Sequence, residues 1–409
     1  MSAIPVNLLA RPKGETIRLE CELCGRPASL QCKDVPTYYC TPEHFEQDWR
    51  GILHLIGQDL TLLRSKPKMI GSEEERQKRE KELRAIRKEV LDLCTETAQK
   101  FLVQGNYQLA VPGALHSLKL AIATYGSEAL ELVPSYLLLA EANLGLRRLK
   151  VAEEFLSLAN WSLVKHPEAG PALMSNLQRN FGRLYAAQQR YNESLEAFAS
   201  DIYYSACEFG PQSVRTAPSY FHMARVFQSH QQLDRAHALY NKVLQIYNKW
   251  LNKALPAPAP SPTQEDHTQG AAAAVERDIV EELERETGDD VEKIMLRGKG
   301  EEDRGERGAE RPESDALVSE VEMEEAAEIL RHISEHRGKR FGDMTAPTAE
   351  ARCTLGLLFL HAGDYKAARE QLNRAVDGFS EAVGDANRQT LNAMRYFRLA
   401  EQRLLPATL

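Results

Sequence analysis

Four of the seven cysteines in this 409-residue chain fall between positions 21 and 40. The segment reads Cys21-Glu-Leu-Cys24, then Cys32, then Tyr38-Tyr39-Cys40, followed by His44, Trp49 and His54. A Cys-x-x-Cys step places two thiolates on one tight knuckle. Cys40 and His44 stand at i and i+4, so at a helix start they face the same way. Cys21, Cys24, Cys40 and His44 together offer a closed S₃N donor set, the kind that holds structural zinc. The alternative is a chance cluster of buried cysteines. A sixty-residue segment this poor in apolar residues needs a staple to fold, which favours metal. Cys94, Cys207 and Cys353 read as core residues, and the clustering points to metal or free thiols rather than disulfides.

The order Cys-x₂-Cys, Cys, Tyr-Tyr-Cys, a ligand four residues on, then Trp and His resembles the MYND zinc finger. That resemblance implies two interleaved ions. The first would take Cys21, Cys24, Cys40 and His44. The second would fall to Cys32, Val35, His54 and Gln58, but Val35 and Gln58 stand where cysteines are wanted. Cys32 and His54 alone do not make a structural site. One Zn²⁺ per chain is therefore expected, with Tyr39, Trp49, Ile52 and Leu53 packing the other half. Some MYND fingers bind proline-containing peptides through a Gln and a Trp. Trp49 matches and Phe45 replaces the Gln, so a docking role for the finger is preferred to peptide capture.

The elements that must position these residues are helical. Ala110, Ala152, Ser194 and Ala236 stand 42 residues apart, as do Ala98, Ala140, Gly182 and Ala224, and Tyr107, Leu149, Tyr191 and Leu233. Tyr125-Gly126 before Pro134-Ser135-Tyr136 returns as Phe209-Gly210 before Pro218-Ser219-Tyr220. Each unit reads as two amphipathic helices with apolar residues at three- and four-residue steps. The small residues mark where paired helices approach closely, and Leu156, Phe198 and Tyr240 fill the neighbouring holes. One such hairpin cannot cover its own apolar face; stacked copies can.

This small/large pattern resembles the tetratricopeptide repeat, fullest at Gly356, Phe359, Gly363, Asp364, Tyr365, Ala368 and Ala375. The fold class expected is all-α, a helical solenoid of 42-residue repeats with a small N-terminal zinc-finger module. Such stacks bind partners along the face lined by the first helix of each unit. Arg179, Asn180, Arg183, His222 and Arg225 are the candidate groove residues, and Arg183 and Arg225 are repeat-equivalent. A row of arginines would favour an acidic or C-terminal carboxylate ligand; a solvated face is the plainer alternative.

Four segments follow. Residues 15–60 form the finger. Residues 70–254 hold a lead-in helix, starting at a Ser72/Glu75 capping box, and repeats 1–4. Residues 255–320 form an insert: a proline-rich linker, a helix opening at Ala271–Ala274, and a run of Gly, Glu, Arg and Asp expected to be mobile. Residues 321–405 resume the array, since Ala326 lies 42 before Ala368, and end on a capping helix. Ala326, Leu330 and Ile333 read as the second helix of an interrupted unit. His332 and His336 read as surface residues on a charged helix.

The formal net charge of −8 argues against general nucleic-acid binding. No apolar run reaches about 18 residues, so no membrane span is expected. Met1–Gly14 lacks a hydrophobic signal core, which argues for a cytoplasmic chain. No P-loop, dinucleotide turn or nucleophile elbow is found, and no Asn-His-Ser-Cys stretch of the methyltransferases that carry MYND fingers. A non-enzymatic scaffold for other proteins is expected, without small-molecule substrate. MYND-plus-tetratricopeptide chains of this kind are associated with cilia and flagella, so the resemblance implies axonemal or tetratricopeptide-repeat partners. A transcriptional corepressor-type adaptor is the alternative, and it would want a nuclear-targeting basic cluster.

Overall fold

The computed structural model describes residues 3–6, 19–64, 72–255 and 319–404. The expectations for the insert, including its helix, lie outside the described residues. The chain divides into two compact units, Met1–Asn180 and Phe181–Leu409. Apart from one small sheet, the described residues are helical, in successive antiparallel-type pairs of the tetratricopeptide kind.

The first unit opens with strands β1 (Ala3–Pro5), β2 (Leu30–Cys32) and β3 (Tyr38–Tyr39), antiparallel in that order, with Ala3 opposite Cys32 and Leu30 opposite Tyr39. Helix α1 (Pro42–Asp48) follows, then a π-helical turn (Trp49–Leu53) and α2 (His54–Arg64). Helix α3 (Glu73–Val103) starts at the expected capping box: Ser72 Oγ accepts from Glu75 N–H, and the Glu75 carboxylate accepts from Ser72 N–H. Lead-in and first repeat helix are one continuous element. It pairs with α4 (Tyr107–Tyr125), which packs on α5 (Val133–Gly145), which packs on α6 (Leu149–Lys165). Helix α7 (Pro171–Ala187) carries residues on both sides of the division.

The second unit continues with α8 (Tyr191–Phe209), α9 (Ala217–Ser229), α10 (Leu233–Ala254), α11 (Glu320–Phe341), α12 (Ala346–Ala362), α13 (Tyr365–Val383) and α14 (Arg388–Leu404). Here α8 packs on α9, α9 on α10, and α11 through α14 each on the next.

The 42-residue register has a physical cause in three places. First, the small residues are buried where helices of a pair meet: a Cβ on Gly182 would lie 2.8 Å from the Phe198 ring, and one on Gly356 would lie 2.7 Å from Leu372 Cγ. Second, the turn inside each pair is left-handed at Gly105, Arg147, Gln189 and Gln231, with φ of 73°, 60°, 63° and 63°, again 42 apart. Third, turns between pairs use Gly210, Gly342 and Gly384, and the buried threonine six residues on caps each one. Thr216, Thr348 and Thr390 donate Oγ1–H to those carbonyls at 2.8, 2.9 and 2.8 Å.

Helix α11 has the sequence register of a second helix; it packs along α12, and side chains also link it to α10. Those links run antiparallel. Arg340 pairs with Asp234 at 3.1 Å, His237 stacks edge-on to Phe341 at 5.0 Å, and Arg337 Nη2–H donates to Asn241 Oδ1 at 2.6 Å. This corrects the surface reading of His332 and His336. Their rings lie 6.3 and 5.2 Å from that of Tyr240, and neither Nε2 has a partner. Burial, then the charge of Arg225, pushes the His332 imidazole down to about 4. Cys94 is core as expected, and burial pushes its thiol up to about 12. Cys207 is exposed, because it lies on the outer side of α8.

Candidate metal centre

Each of the four candidate ligands is placed by a local feature. Gly25, at φ 67°, closes the knuckle after Cys24, with its N–H donating to Cys21 O at 3.0 Å. Cys40 ends β3. Thr41 caps α1 and accepts from His44 N–H at 3.4 Å, and Pro42 sits in the first turn, where its missing donor costs nothing. The ligand atoms of Cys21, Cys24, Cys40 and His44 consequently all lie within 4.8 Å of one another. His44 Nδ1 is 3.4 Å from Cys21 Sγ and 3.3 Å from Cys40 Sγ, and Cys24 Sγ is 3.5 Å from Cys40 Sγ. Desolvation, then the sulfurs of Cys24 and Cys21, push the Cys40 thiol up to about 11. A divalent cation among the sulfurs would reverse that penalty, since metal binding selects the thiolate. Three sulfurs and an imidazole suit zinc.

Among the described residues no other group of three or more such side chains is gathered. Cys32 is buried, but His54 is exposed and turned to the Trp49 carbonyl, 2.8 Å from its Nδ1. Val35 is 3% exposed and packs where Gly57 leaves room, 3.0 Å from an added Cβ. Apolar packing of Val35, Tyr39, Ile52, Leu53 and Ile56 occupies this half of the finger. Phe45 is also drawn into it, edge-on to Tyr39 at 5.4 Å and stacked on Trp49 at 6.4 Å. At 8% exposure Phe45 does not line an open groove; Trp49 remains half-buried.

Sequence reasoning missed how the finger is fixed to the first repeat. One face of α4 receives it. Asp48, at the end of α1, is fully buried and accepts from Tyr39 Oη–H at 2.6 Å; His116 of α4 donates from Nε2 to the same carboxylate at 3.0 Å. Burial, then the Asp48 charge, pushes the Tyr39 phenol far above its usual range, so it stays a donor. Glu22, inside the knuckle, bonds Arg64 at 2.6 Å and Lys119 of α4 at 2.5 Å. Gln47 donates to Gln108 O at 2.7 Å. Gly51 comes so near α4 that a Cβ would lie 2.9 Å from Leu109 O and from Pro112 Cγ. Residues 108, 109, 112, 116 and 119 recur at helical steps, but nothing in their types announces a partner.

The five candidate groove residues fall in both units. Arg179 and Asn180 belong to the first unit, and Arg183, His222 and Arg225 to the second. Asn180 is 5% exposed and spends its Nδ2–H on Asn176 O at 3.0 Å, so it is core rather than groove. His222 is half-buried, stacked on Phe198 at 5.8 Å. Arg225 is exposed over the Phe221 ring at 5.9 Å; Arg179 and Arg183 are half-buried.

The tetratricopeptide repeat family matches residues 173–249, the span from α7 to α10. Among solved structures, the apo form of RapI is similar with a TM-score of 0.35 at 11% identity, covering 77% of this chain and 71% of its own. BtubC (BKLC) from P. vanneervenii gives 0.28 at 17% identity, covering 71% of this chain and 91% of its own. Among the described residues no helix is long and apolar enough to cross a membrane.

Proposed function

We propose that the chain is a non-enzymatic scaffold that holds other proteins on tetratricopeptide-type helix pairs, with a zinc-bearing finger at residues 15–60 docked as the N-terminal cap of the array. The observation that supports this most is the coincidence of repeat match and repeat geometry: residues 173–249 match the family, and the same 42-residue register carries buried small residues from Ala98 to Ala236. Stacked repeats need a terminal element to cover the outermost apolar face. The finger does this on α4. Zinc at Cys21, Cys24, Cys40 and His44 would hold the finger's own fold, since its sheet and helices are too short to persist alone.

The finer reading is an axonemal adaptor of cilia or flagella, linked to dynein-arm or motility machinery. It rests on the resemblance to MYND-plus-tetratricopeptide chains of that setting. The partner would meet the array through Arg183 and Arg225, which suit an acidic segment. Tagged full-length protein expressed in ciliated cells tests the reading. Retention on axonemes after detergent extraction, with proximity labelling of axonemal proteins, is the expected result; full release into the detergent fraction would refute the axonemal placement while leaving the scaffold reading intact.

A further inference from the structure

We propose that the metal cluster and helix α4 are coupled through Tyr39, Asp48 and His116, so that metal held by the finger locks it onto the first helix pair and loss of metal uncovers the outer face of α4. The proposal rests on the reading of Cys21, Cys24, Cys40 and His44 as metal ligands. Its basis is connectivity. Tyr39 precedes the ligand Cys40, and Asp48 follows the ligand His44 by one helical turn on the same face of α1. Tyr39 Oη–H donates to the Asp48 carboxylate at 2.6 Å, and the same carboxylate accepts from His116 Nε2–H at 3.0 Å. Tyr39, Asp48 and His116 are between 0% and 2% exposed, so no water substitutes for a lost partner.

Helix α1 has seven residues. An isolated helix so short does not persist in water, and its anchors are the Thr41 cap, the ligand His44, the buried Phe45 ring and the Asp48 contact. Freed of metal, α1 no longer presents Asp48, and the contacts made by Gln47, Gly51 and Glu22 on α4 depend on the same small finger. His116 is thus a positioning residue: it touches no ligand, yet it holds the helix that carries one. Coupling of this kind is reciprocal, so docking on α4 must favour metal by the same factor that metal favours docking.

Amide hydrogen exchange on the full-length chain, zinc-loaded and after chelation, tests this together with zinc titration of His116→Leu and His116→Gln. Chelation is expected to reduce protection in α4 around residues 108–120 while α13 keeps its own. His116→Leu is expected to bind zinc about tenfold more weakly, and His116→Gln, which retains an amide donor, to recover most of that loss. A chain that binds zinc but shows the same α4 exchange with and without it overturns the proposal alone, as does wild-type zinc affinity in His116→Leu. If His116→Leu does not fold, the wild-type exchange comparison decides. A chain that binds no zinc overturns the metal reading and the proposal with it.

Discussion

Glu22 and Lys119 meet at 2.5 Å across 97 residues of sequence, and the Lys119 ammonium also donates to the Glu22 backbone carbonyl at 2.9 Å. Burial alone would raise the Glu22 carboxyl. The hydrogen bond from Arg64 and then the charge of Lys119 outweigh it and hold the group down to about 2 from 4.5. The folded value lies below the unfolded one, so the contribution is complete above pH 4.5 and is lost as pH falls toward 2. Its size is roughly 3 kcal/mol. Glu22→Gln is expected to be less stable than wild type by about that amount at neutral pH, with the gap closing between pH 4.5 and 2. Denaturant unfolding of both proteins across that range checks it; a gap independent of pH would show that the pair contributes through packing instead.

Metal content separates the two halves of the finger. Purified protein is expected to carry one equivalent of zinc. Cys40→Ser should lose it, and Cys32→Ala should not, because Val35 and the exposed His54 leave Cys32 without companions. Elemental analysis of the three proteins decides, and two equivalents in the wild type would mean that the second half holds an ion.

The close approach at Gly356 makes a test of the repeat core. Gly356→Val has to displace Leu372, whose Cγ lies 2.7 Å from where a Cβ would stand. Overpacking of this kind costs about 1–3 kcal/mol. Pairing it with Leu372→Ala should cost less than the sum of the single changes. Strict additivity in thermal or denaturant unfolding would argue that the two side chains do not compete for one space.

Charge reversal at Arg183 and Arg225 addresses partner capture. Both lie in repeat-equivalent places on α7 and α9, and Arg225 is exposed. The double change to glutamate is expected to weaken recovery of bound proteins from ciliated-cell extract severalfold, with helix content by circular dichroism unaltered. Unchanged recovery would move the binding surface elsewhere on the array.

How far the sequence spoke for itself depended on the range of the interaction. Ser72 with Glu75, the Cys21–Cys24 knuckle and the Cys40–His44 pair are all local, and each could be read from spacing alone. The 42-residue register was legible because each small residue repeats the same close approach. The dock of Asp48 on His116 was not, since a lone Asp and a lone His 68 positions apart carry no periodicity. His332 and His336 misled for a related reason: α11 is charged along most of its length, and only the rings of Phe221 on α9 and Tyr240 on α10 half-bury those imidazoles. Asn180 sat in the right phase for a groove but bonds its own helix backbone instead.

The link of α11 to α10 bears on what the chain can tolerate. Helix α10 ends at Ala254 and α11 begins at Glu320, and side chains tie the two: Arg340 to Asp234, Phe341 to His237 and Arg337 to Asn241. These links join residues about 100 positions apart in sequence. Arg337 is 2% exposed and donates one of its N–H groups to Asn241, so an apolar residue at 241 would leave part of a buried charge unmatched and loosen α11 from α10 without touching either helix's backbone.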